Sequence, residues 1–227
     1  MTIDQFIKLI EVCAKLLSAL AWPLLVLFIV TKLLPSILRT IPDWENFQFE
    51  IFGLKGIVAR KKAQASEALS AAARKPVEGS TALQADENAR SAEAVVERTV
   101  TPSVVRKVEN ARILWVDDRP SNNTHERQAF EALGIKVDLA ENTNDALNMI
   151  GVQNYNAIIS DMGRPPDSRA GYTLLESLRQ AGNQTPFVIY AGSNSPEHRA
   201  ETRLRGGVDS TNRADELFQI VTTVITR

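Results

Sequence analysis

The C-terminal half of the chain predicts an α/β domain with a doubly wound, five-stranded parallel sheet, preceded by one transmembrane helix and a linker. Short apolar runs alternate there with helical stretches, which is typical of a parallel sheet with crossover helices. A charge-free apolar run lies near the N-terminus, and a polar segment with few aromatic residues separates the two regions. We therefore divide the chain into an N-terminal transmembrane region (1–42), a juxtamembrane strand and helix (43–75), a flexible linker (76–108) and the α/β domain (109–227).

Composition excludes several classes of protein. The 227-residue chain has a net charge of −1 and is 44% apolar. It is therefore neither disordered as a whole nor strongly basic, and no nucleic-acid partner is expected. Cys13 is the only cysteine, which excludes a disulfide framework and a cysteine-based zinc site.

The N-terminal apolar run, Leu16–Thr31, contains no charged residue. As a helix it would be ~24 Å long, and Lys15 and Lys32 can snorkel so that flanking apolar residues extend it across a hydrocarbon core of ~30 Å. A signal peptide fits less well because Asp4 and Glu11 spoil a basic N-terminal region. A soluble packing helix fits less well because the run is apolar on all sides. We predict a helix that spans the membrane.

Positive residues are more frequent after this run than before it. Lys8 and Lys15 precede it, whereas a larger group follows it: Lys32, Arg39, Lys55, Arg60, Lys61 and Lys62. Because the positive side of a membrane helix stays in the cytoplasm, we expect a single-pass protein of a bacterial inner membrane with a cytoplasmic C-terminal domain.

Two further segments connect the membrane run to the α/β domain. Phe47–Phe52 alternates apolar and polar residues, which predicts a short hairpin or an interfacial strand near the bilayer. Residues 57–74 are rich in Ala, Lys and Glu and predict a helix. The Arg60–Lys62 cluster at its start either binds anionic headgroups or is an ordinary solvated helix start. Residues 76–108 are rich in Ser, Thr, Ala, Glu and Pro and predict a flexible linker, with a stretch of helix near Asp86–Glu97.

Five strand–helix units follow over the last part of the chain. The predicted strands are Ile113–Val116, Ile135–Leu139, Ala157–Ser160, Phe187–Tyr190 and a weak one at Val208–Thr211. The predicted helices are Asn123–Leu133, Thr143–Ile150, Ala170–Gln180, Pro196–Arg205 and Ala214–Ile225. In a doubly wound sheet, ligands bind beyond the carboxyl ends of the strands, at the point where the strand order reverses.

Three carboxylates stand at those carboxyl ends. Asp117 and Asp118 follow strand one, and Asp161 follows strand three. Two carboxylates ~5 Å apart repel by ~3 kcal/mol at an effective dielectric of about 20, so a cation or protons must relieve the cluster. Oxygen ligands with room for water suit Mg²⁺, and a carboxylate beside Mg²⁺ can attack a phosphoryl group. The alternative, that these aspartates merely cap turns, accounts easily for one of them but less well for three.

The same region resembles the receiver domain of response regulators, the phosphoacceptor half of two-component signalling. The resemblance covers Ala111–Arg227 and rests on the segments ILWVDDRPSNN, ALGIKVDLAENTNDAL, AIISDMGRPPDSRAGYTLLESLRQAG and PFVIYAG. It implies a flavodoxin-like fold in which Asp117 and Asp118 hold Mg²⁺, Asp161 accepts the phosphoryl group and also contacts the metal, and Gly163 offers a backbone carbonyl to it. Pro165 matches the family's proline after the acceptor.

Two positions depart from the family's pattern. Ala191 stands where the family has a Thr or Ser after strand four, and the nearest hydroxyl, Ser193, comes two residues later. The family's lysine after strand five is missing, because Lys136 is the last lysine of the chain. Arg213 and Arg164 are the candidates for supplying the positive charge instead, although an arginine differs from a lysine in reach and geometry.

Two hypotheses about function remain open. The first is a membrane-anchored, atypical response regulator: a histidine kinase or another phosphodonor phosphorylates Asp161, and output passes through homodimerisation or an unknown protein partner. The second is a degenerate receiver that binds a partner or a nucleotide-type ligand without phosphorylation, as the sensor of a bacterial membrane effector, for example in a defence system. We expect no enzymatic activity of its own, since the sequence shows no serine elbow and no histidine at a strand end.

Overall fold

The computed structural model describes residues 21–33, 55–75 and 81–227. The chain divides into two compact units, Met1–Gln48 and Phe49–Arg227. In the first unit, residues 21–28 are α-helical and Ile29–Leu33 forms a π-helical turn. The second unit contains the sheet and all the other described helices.

The membrane prediction is only partly covered by these residues. Within residues 21–33, 55–75 and 81–227, no helix combines the length and apolar character that crossing a bilayer requires. The predicted span, Leu16–Thr31, begins outside the described residues, and the predicted strand Phe47–Phe52 lies wholly outside them. Both stay predictions.

The sheet of the second unit is five-stranded, entirely parallel, and ordered β2-β1-β3-β4-β5. This is the doubly wound topology that the sequence predicts, with the strand order reversing between β1 and β3. Every strand lies within one residue of its predicted bounds: β1 is Arg112–Val116, β2 Lys136–Ala140, β3 Ala157–Ser160, β4 Phe187–Tyr190 and β5 Asp209–Thr211.

Eight α-helices accompany the sheet in this unit's described residues. They are α1 (Lys55–Ala73), α2 (Ala82–Thr99), α3 (Pro102–Val108), α4 (Thr124–Ala132), α5 (Thr143–Val152), α6 (Ala170–Gln180), α7 (Pro196–Leu204) and α8 (Ala214–Thr226). A 3₁₀ turn, Pro120–Asn123, precedes α4. The five helices that follow the strands agree with the prediction to within two residues.

Side chains alternate across β1 and feed two separate cores. Ile113 and Trp115 join a core with α4 and α8, whereas Leu114 and Val116 join a core with α5 and α6. All four side chains are buried. This is expected of a parallel sheet covered by helices on both faces.

The segment predicted as a flexible linker, 76–108, is mostly helical where the structure describes it: α2 contains the predicted stretch Asp86–Glu97 but is longer, and α3 follows it, so the linker prediction is corrected over these two helices. Thr81 caps α2 in a reciprocal capping box with Gln84, and Thr101 caps α3 ahead of Pro102. The buried side of α2 consists of small residues at helical spacing: Ala89, Ala92, Val95 and Val96. These alanines and valines form a short apolar face, which is hard to recognise in a segment rich in Ser, Thr and Glu.

The predicted helix at 57–74 is present as α1, and it packs on both α2 and α4. Two residues of the basic cluster at the start of this helix form contacts with other parts of the chain. Lys61 Nζ donates to the Leu133 carbonyl at 2.9 Å, and Lys62 pairs with Glu97 at 2.6 Å. We call α1 and α2 the helix pair. It extends the core beneath α4 and α8 outward by one more layer.

Candidate functional site

The three predicted carboxylates meet at the carboxyl end of the sheet. Val116 and Ser160 are partners across β1 and β3, so the residues after them, Asp117 and Asp161, emerge side by side. One carboxylate oxygen from each of Asp117, Asp118 and Asp161 lies within 4.8 Å of the other two. The predicted convergence is therefore present in the structure, whereas metal binding stays a prediction.

Local hydrogen bonds hold two of these carboxylates in place. Asp117 is 6% exposed; its Oδ1 accepts the Arg119 amide at 2.7 Å and its Oδ2 accepts the Asn123 side chain at 2.5 Å. Asp161 Oδ1 accepts the Met162 amide at 2.8 Å. Asp117 thus does cap the turn that follows it, as the alternative interpretation expects. Each oxygen of the ionised carboxylate still has a lone pair that can bind a further ligand.

The electrostatics of the cluster favour a cation. Burial raises the pKa of Asp161, and repulsion from Asp117 and Asp118 raises it further, while the Met162 amide and the charge of Arg164 act in the opposite direction. Like charges held together in a partly buried place gain from any positive ion that joins them.

The carboxylates face an open cavity of about 490 Å³. Its walls also carry Gly163, the residue expected to offer a carbonyl to the metal, and Ala191. The cavity is lined by Asp117, Asp118, Arg119, Asn122, Asn123, Asp161, Gly163, Pro165, Tyr190, Ala191, Gly192 and Asn212. An oxygen-rich donor set with access to water fits Mg²⁺, which keeps several waters when it binds proteins.

No serine or threonine among the described residues lines this cavity in place of the hydroxyl that the family carries after strand four, and the Tyr190 hydroxyl donates to Glu126. Ala191 lies in the wall but has no side-chain donor, and its amide donates to the Thr211 carbonyl at 3.1 Å. Ser193 lies in a neighbouring cavity, where its Oγ is 2.9 Å from His198 Nδ1 and accepts the Ser195 amide at 3.4 Å. The loop after β4 therefore directs Ser193 away from the carboxylates.

Of the two arginines proposed to replace the missing lysine, the structure brings one to the cluster. Arg213 lies at the start of α8, where its guanidinium bonds both oxygens of Asp215, at 2.6 and 3.1 Å, and the Ser91 hydroxyl of α2. Arg164 is instead buried directly behind the cluster. Its NH1 donates to the Asp161 carbonyl at 2.6 Å and to the Ser160 hydroxyl at 2.7 Å.

Gly171 allows the loop after Asp161 to close tightly. A Cβ at this position would lie 2.8 Å from the Asp161 carbonyl oxygen and 2.9 Å from Ile189 Cδ1. The Gly171 amide donates to the Met162 carbonyl at 2.9 Å. The first turn of α6 therefore packs directly against the backbone that carries Asp161.

A buried charge cluster links the helix pair to the cavity, and the sequence did not predict it. Glu126 on α4 is 1% exposed. Its carboxylate accepts Lys75 Nζ at 2.6 Å and the Tyr190 hydroxyl at 3.0 Å. Lys75 also donates to the Asn122 carbonyl, and both Asn122 and Tyr190 line the cavity. Burial and the neighbouring Glu126 raise the pKa of Tyr190.

Comparison with known proteins agrees with this geometry. Residues 113–211 match the family model described as response regulator receiver domain. The sensor histidine kinase RcsC of Escherichia coli K12 is 30% identical over 110 residues, which are 48% of this chain and 11% of RcsC. The sensor protein EvgS of the same strain is 30% identical over 79 residues, 35% of this chain and 6% of EvgS. The chain thus spans about a tenth or less of the length of these relatives.

Solved receiver structures align with about half of the chain. The receiver domain of the Francisella response regulator 1452 is 26% identical with a TM-score of 0.46, over 52% of this chain and 97% of that one. The chemotaxis response regulator CheY4 of Vibrio cholerae is 22% identical with a TM-score of 0.45, over 51% of this chain and 98% of that one.

Proposed function

Taking residues 113–211 as a response regulator receiver domain, we propose that this chain accepts a phosphoryl group on Asp161 in a phosphorelay. The observation that carries the proposal is the meeting of Asp117, Asp118 and Asp161 within 4.8 Å at the floor of an open cavity. We assign Asp161 as the acceptor because it follows β3 and is held on both its carboxylate and its backbone: Oδ1 accepts the Met162 amide and the carbonyl accepts the buried Arg164.

The transfer is a displacement at phosphorus. A carboxylate oxygen of Asp161 forms the new O–P bond, while the P–N bond of a phosphohistidine or the P–O bond of an acyl phosphate breaks and the donor leaves with the electron pair. Asp117, Asp118, Asp161 and the Gly163 carbonyl would hold Mg²⁺, which when bound offsets negative charge on the phosphoryl oxygens. The Met162 amide keeps Asp161 Oδ1 in place during the attack.

Phosphorylation can be tested directly on the full chain. We expect a covalent adduct on incubation with Mg²⁺ and acetyl phosphate, retained in Asp145→Asn and lost in Asp161→Asn. Asp145 is the matched control because it is an exposed carboxylate at the start of α5, outside the cavity. If neither acetyl phosphate nor a phosphorylated histidine kinase labels the wild type, phosphoryl acceptance is excluded.

The partners that follow are a histidine kinase or another phosphodonor upstream, and a protein contact downstream. The helix pair is the proposed route to output, because Lys75 and Asn122 join it to the rim of the cavity. Homodimerisation through this chain's own surface is a second route. Light scattering of the beryllofluoride-treated and untreated full chain separates the two routes: a rise in mass supports dimerisation.

We further propose that the N-terminal segment anchors the protein in a bacterial inner membrane with the sheet domain in the cytoplasm. The charge-free run Leu16–Thr31 and the excess of basic residues after it support this. Large apolar side chains within the described part of the run, including Trp22, Leu24 and Phe28, are exposed. Carbonate-resistant sedimentation with membranes is expected, and full release into the soluble fraction would contradict anchorage.

The second candidate function is a receiver-like binding module that is never phosphorylated. Ala191 favours it, because this position in the cavity wall lacks the side-chain hydroxyl that would follow an incoming phosphoryl oxygen. The adduct experiment decides between the two: Mg²⁺ binding without any adduct supports the binding module.

A further inference from the structure

Arg164 is a buried charge that packing alone does not require. The side chain is 3% exposed. NH1 donates to the Ser160 hydroxyl and the Asp161 carbonyl, and NH2 donates to the Thr143 hydroxyl at 3.2 Å. Nε is buried and has no hydrogen-bond partner among the residues that the structure describes. A buried guanidinium with one unsatisfied donor is costly, and an apolar side chain of similar size would fill the same space without this cost.

The acidic cluster is the charge that compensates Arg164. The side chain's hydrogen-bond acceptors are neutral oxygens, and in the described residues no carboxylate lies within ion-pair distance of it. Burial lowers the pKa of Arg164, and the charges that oppose this effect are, from largest to smallest, those of Asp161, Asp117, Asp118 and Asp167. The guanidinium thus acts on the cluster through the protein interior, where screening by water is weak.

The arrangement fixes the charge that the pocket offers to a ligand. The three carboxylates carry three negative charges, and in the described part of the chain two guanidinium groups lie close to them: Arg164 is buried, and Arg119 lines the cavity 3.8 Å from Asp118 with its side chain 75% exposed. The cavity wall supplies Ala191 and no lysine follows Lys136 in the sequence, and the exposed Arg119 is free to move in solvent, so the guanidinium held in a fixed position is the buried Arg164 behind Asp161.

We propose that Arg164 is a positioning residue and permanent counter-cation of the acidic pocket: it holds the backbone at Asp161 and sets the balance between cation binding and anion binding there. The proposal rests on the proposed function, since it concerns how the same pocket receives Mg²⁺ and a phosphoryl group. Its charge disfavours Mg²⁺ and favours the anionic phosphoryl group. A residue that only supported the fold would affect both ligands in the same direction.

The test compares two substitutions that keep a hydrogen-bond donor but differ in charge, Arg164→Gln and Arg164→Lys. All proteins are full chains that carry Trp22→Phe and Trp44→Phe, so that Trp115 is the only tryptophan. Trp115 packs edge-on against Tyr190 at 5.9 Å, and Tyr190 lines the cavity, so its fluorescence should follow ligand binding. The probes are Mg²⁺ alone and then beryllofluoride at saturating Mg²⁺.

Arg179→Gln is the matched control. Its side chain is half-buried and, like that of Arg164, bonds neutral oxygens, here the carbonyls of Asn183, Thr185 and Gly206. Because it lines no part of the acidic cavity, neither affinity should change in this variant.

The expected result is a change of opposite sign for the two ligands. Arg164→Gln should bind Mg²⁺ about tenfold more tightly and beryllofluoride about tenfold more weakly, each equivalent to ~1.4 kcal/mol. Arg164→Lys should stay near the wild type for both. Weakening of both ligands in Arg164→Gln, or no change in either, would overturn the inference. If Arg164→Gln does not fold, Arg164→Lys decides alone: near-wild-type affinities support the charge role, and loss of both overturns it. A wild type that binds neither probe would instead refute the proposed function.

Discussion

The two faces of the sheet are covered to different depths. On one face, α4 and α8 lie between the sheet and the helix pair, so the core continues into an additional layer. On the other face, α5, α6 and α7 form the outermost layer, and apolar residues such as Val152 and Leu204 are exposed. The rim of the acidic cavity contacts both sides. On the first side, Asn122 and Tyr190 of the cavity wall belong to or contact the buried charge cluster, whereas the ion pairs of the second side lie at the surface.

This difference indicates which side of the sheet should respond more strongly to a structural change at the cavity. Glu126 is buried and has both Lys75 and Tyr190 as partners, so displacement of any one of them leaves a charge or hydroxyl unpaired in the interior. On the other side, Arg169 and Arg205 pair with Glu201 at the surface, and Arg205 also pairs with Glu176. Exposed ion pairs of this kind contribute little to the free energy of folding. Rearranging the contacts on the helix-pair side should therefore cost more free energy than rearranging the surface ion pairs.

The largest expected effect is on the buried core where the helix pair packs against the rest of the domain. Val96 on α2 is fully buried in the extended core, so Val96→Asp places an unpaired charge there and should cost roughly 3 kcal/mol or more. Urea unfolding of the full chain measures it. Leu204→Asp on α7, a position that is 88% exposed, is the control and should change stability by less than about 0.5 kcal/mol. Equal effects at both positions would contradict the difference between the two faces.

A smaller effect is expected where the helix pair meets the cavity rim. Lys75→Met leaves the buried Glu126 carboxylate without its cation and should cost about 2 kcal/mol, less than a fully buried pair because Lys75 is partly exposed. Arg169→Met, which breaks the surface pair with Glu201, should cost under ~1 kcal/mol. Thermal and urea unfolding check both. A cost for Arg169→Met that matches or exceeds that for Lys75→Met would reverse our ranking of the two sides.

The smallest effect is a gain in stability at the cluster itself. The folded pKa of Asp161 is raised above the ordinary value of 3.8, first by burial and then by Asp117. The folded protein therefore holds the Asp161 proton more tightly than the unfolded chain does. The stabilising contribution of Asp161 is present below about pH 3.8 and is lost as the pH rises through the folded pKa.

Asp161→Asn should accordingly stabilise the metal-free protein near neutral pH, on the order of 1 kcal/mol, because it removes a screened part of the repulsion between carboxylates. The gain should shrink as the pH falls towards 4, and it should disappear when Mg²⁺ is added to the wild type. Urea unfolding at several pH values measures it. A destabilised Asp161→Asn protein at neutral pH would show that the carboxylate is held by partners stronger than its repulsion.

The sheet and the carboxylate cluster could be predicted because each has a local signature. Apolar runs of four or five residues, spaced by helices, gave strand bounds within one residue, and topology alone brought the ends of β1 and β3 together. What lay beyond sequence reasoning depends on burial or on distant contacts. Whether Arg164 or Arg213 meets the cluster depends on which side chain turns inward, and both follow a strand in the sequence.

The packing of the helix pair escaped the prediction for a different reason, although α1 and the Asp86–Glu97 stretch of α2 were both predicted as helices. Its buried stripe on α2 is made of alanine and valine, residues that are equally common in linkers, so periodicity was too weak to outweigh the polar composition. Lys75, Glu126 and Tyr190 come from three distant parts of the chain, and no spacing rule relates them. Ser193 illustrates the limit at short range, since two residues of loop direct its hydroxyl into a separate cavity.

The close packing around Gly171 couples the position of α6 to that of Asp161. With the space for a Cβ already filled by the Asp161 carbonyl and Ile189, no compressible gap separates that helix from the end of β3, and close-packed interiors transmit such strain. Any shift of the Asp161 backbone by a few tenths of an ångström must therefore push the start of α6 by a comparable amount. The exposed surface of α6, nine residues and more along the chain from Asp161, should therefore shift with any ligand or modification that displaces the Asp161 backbone.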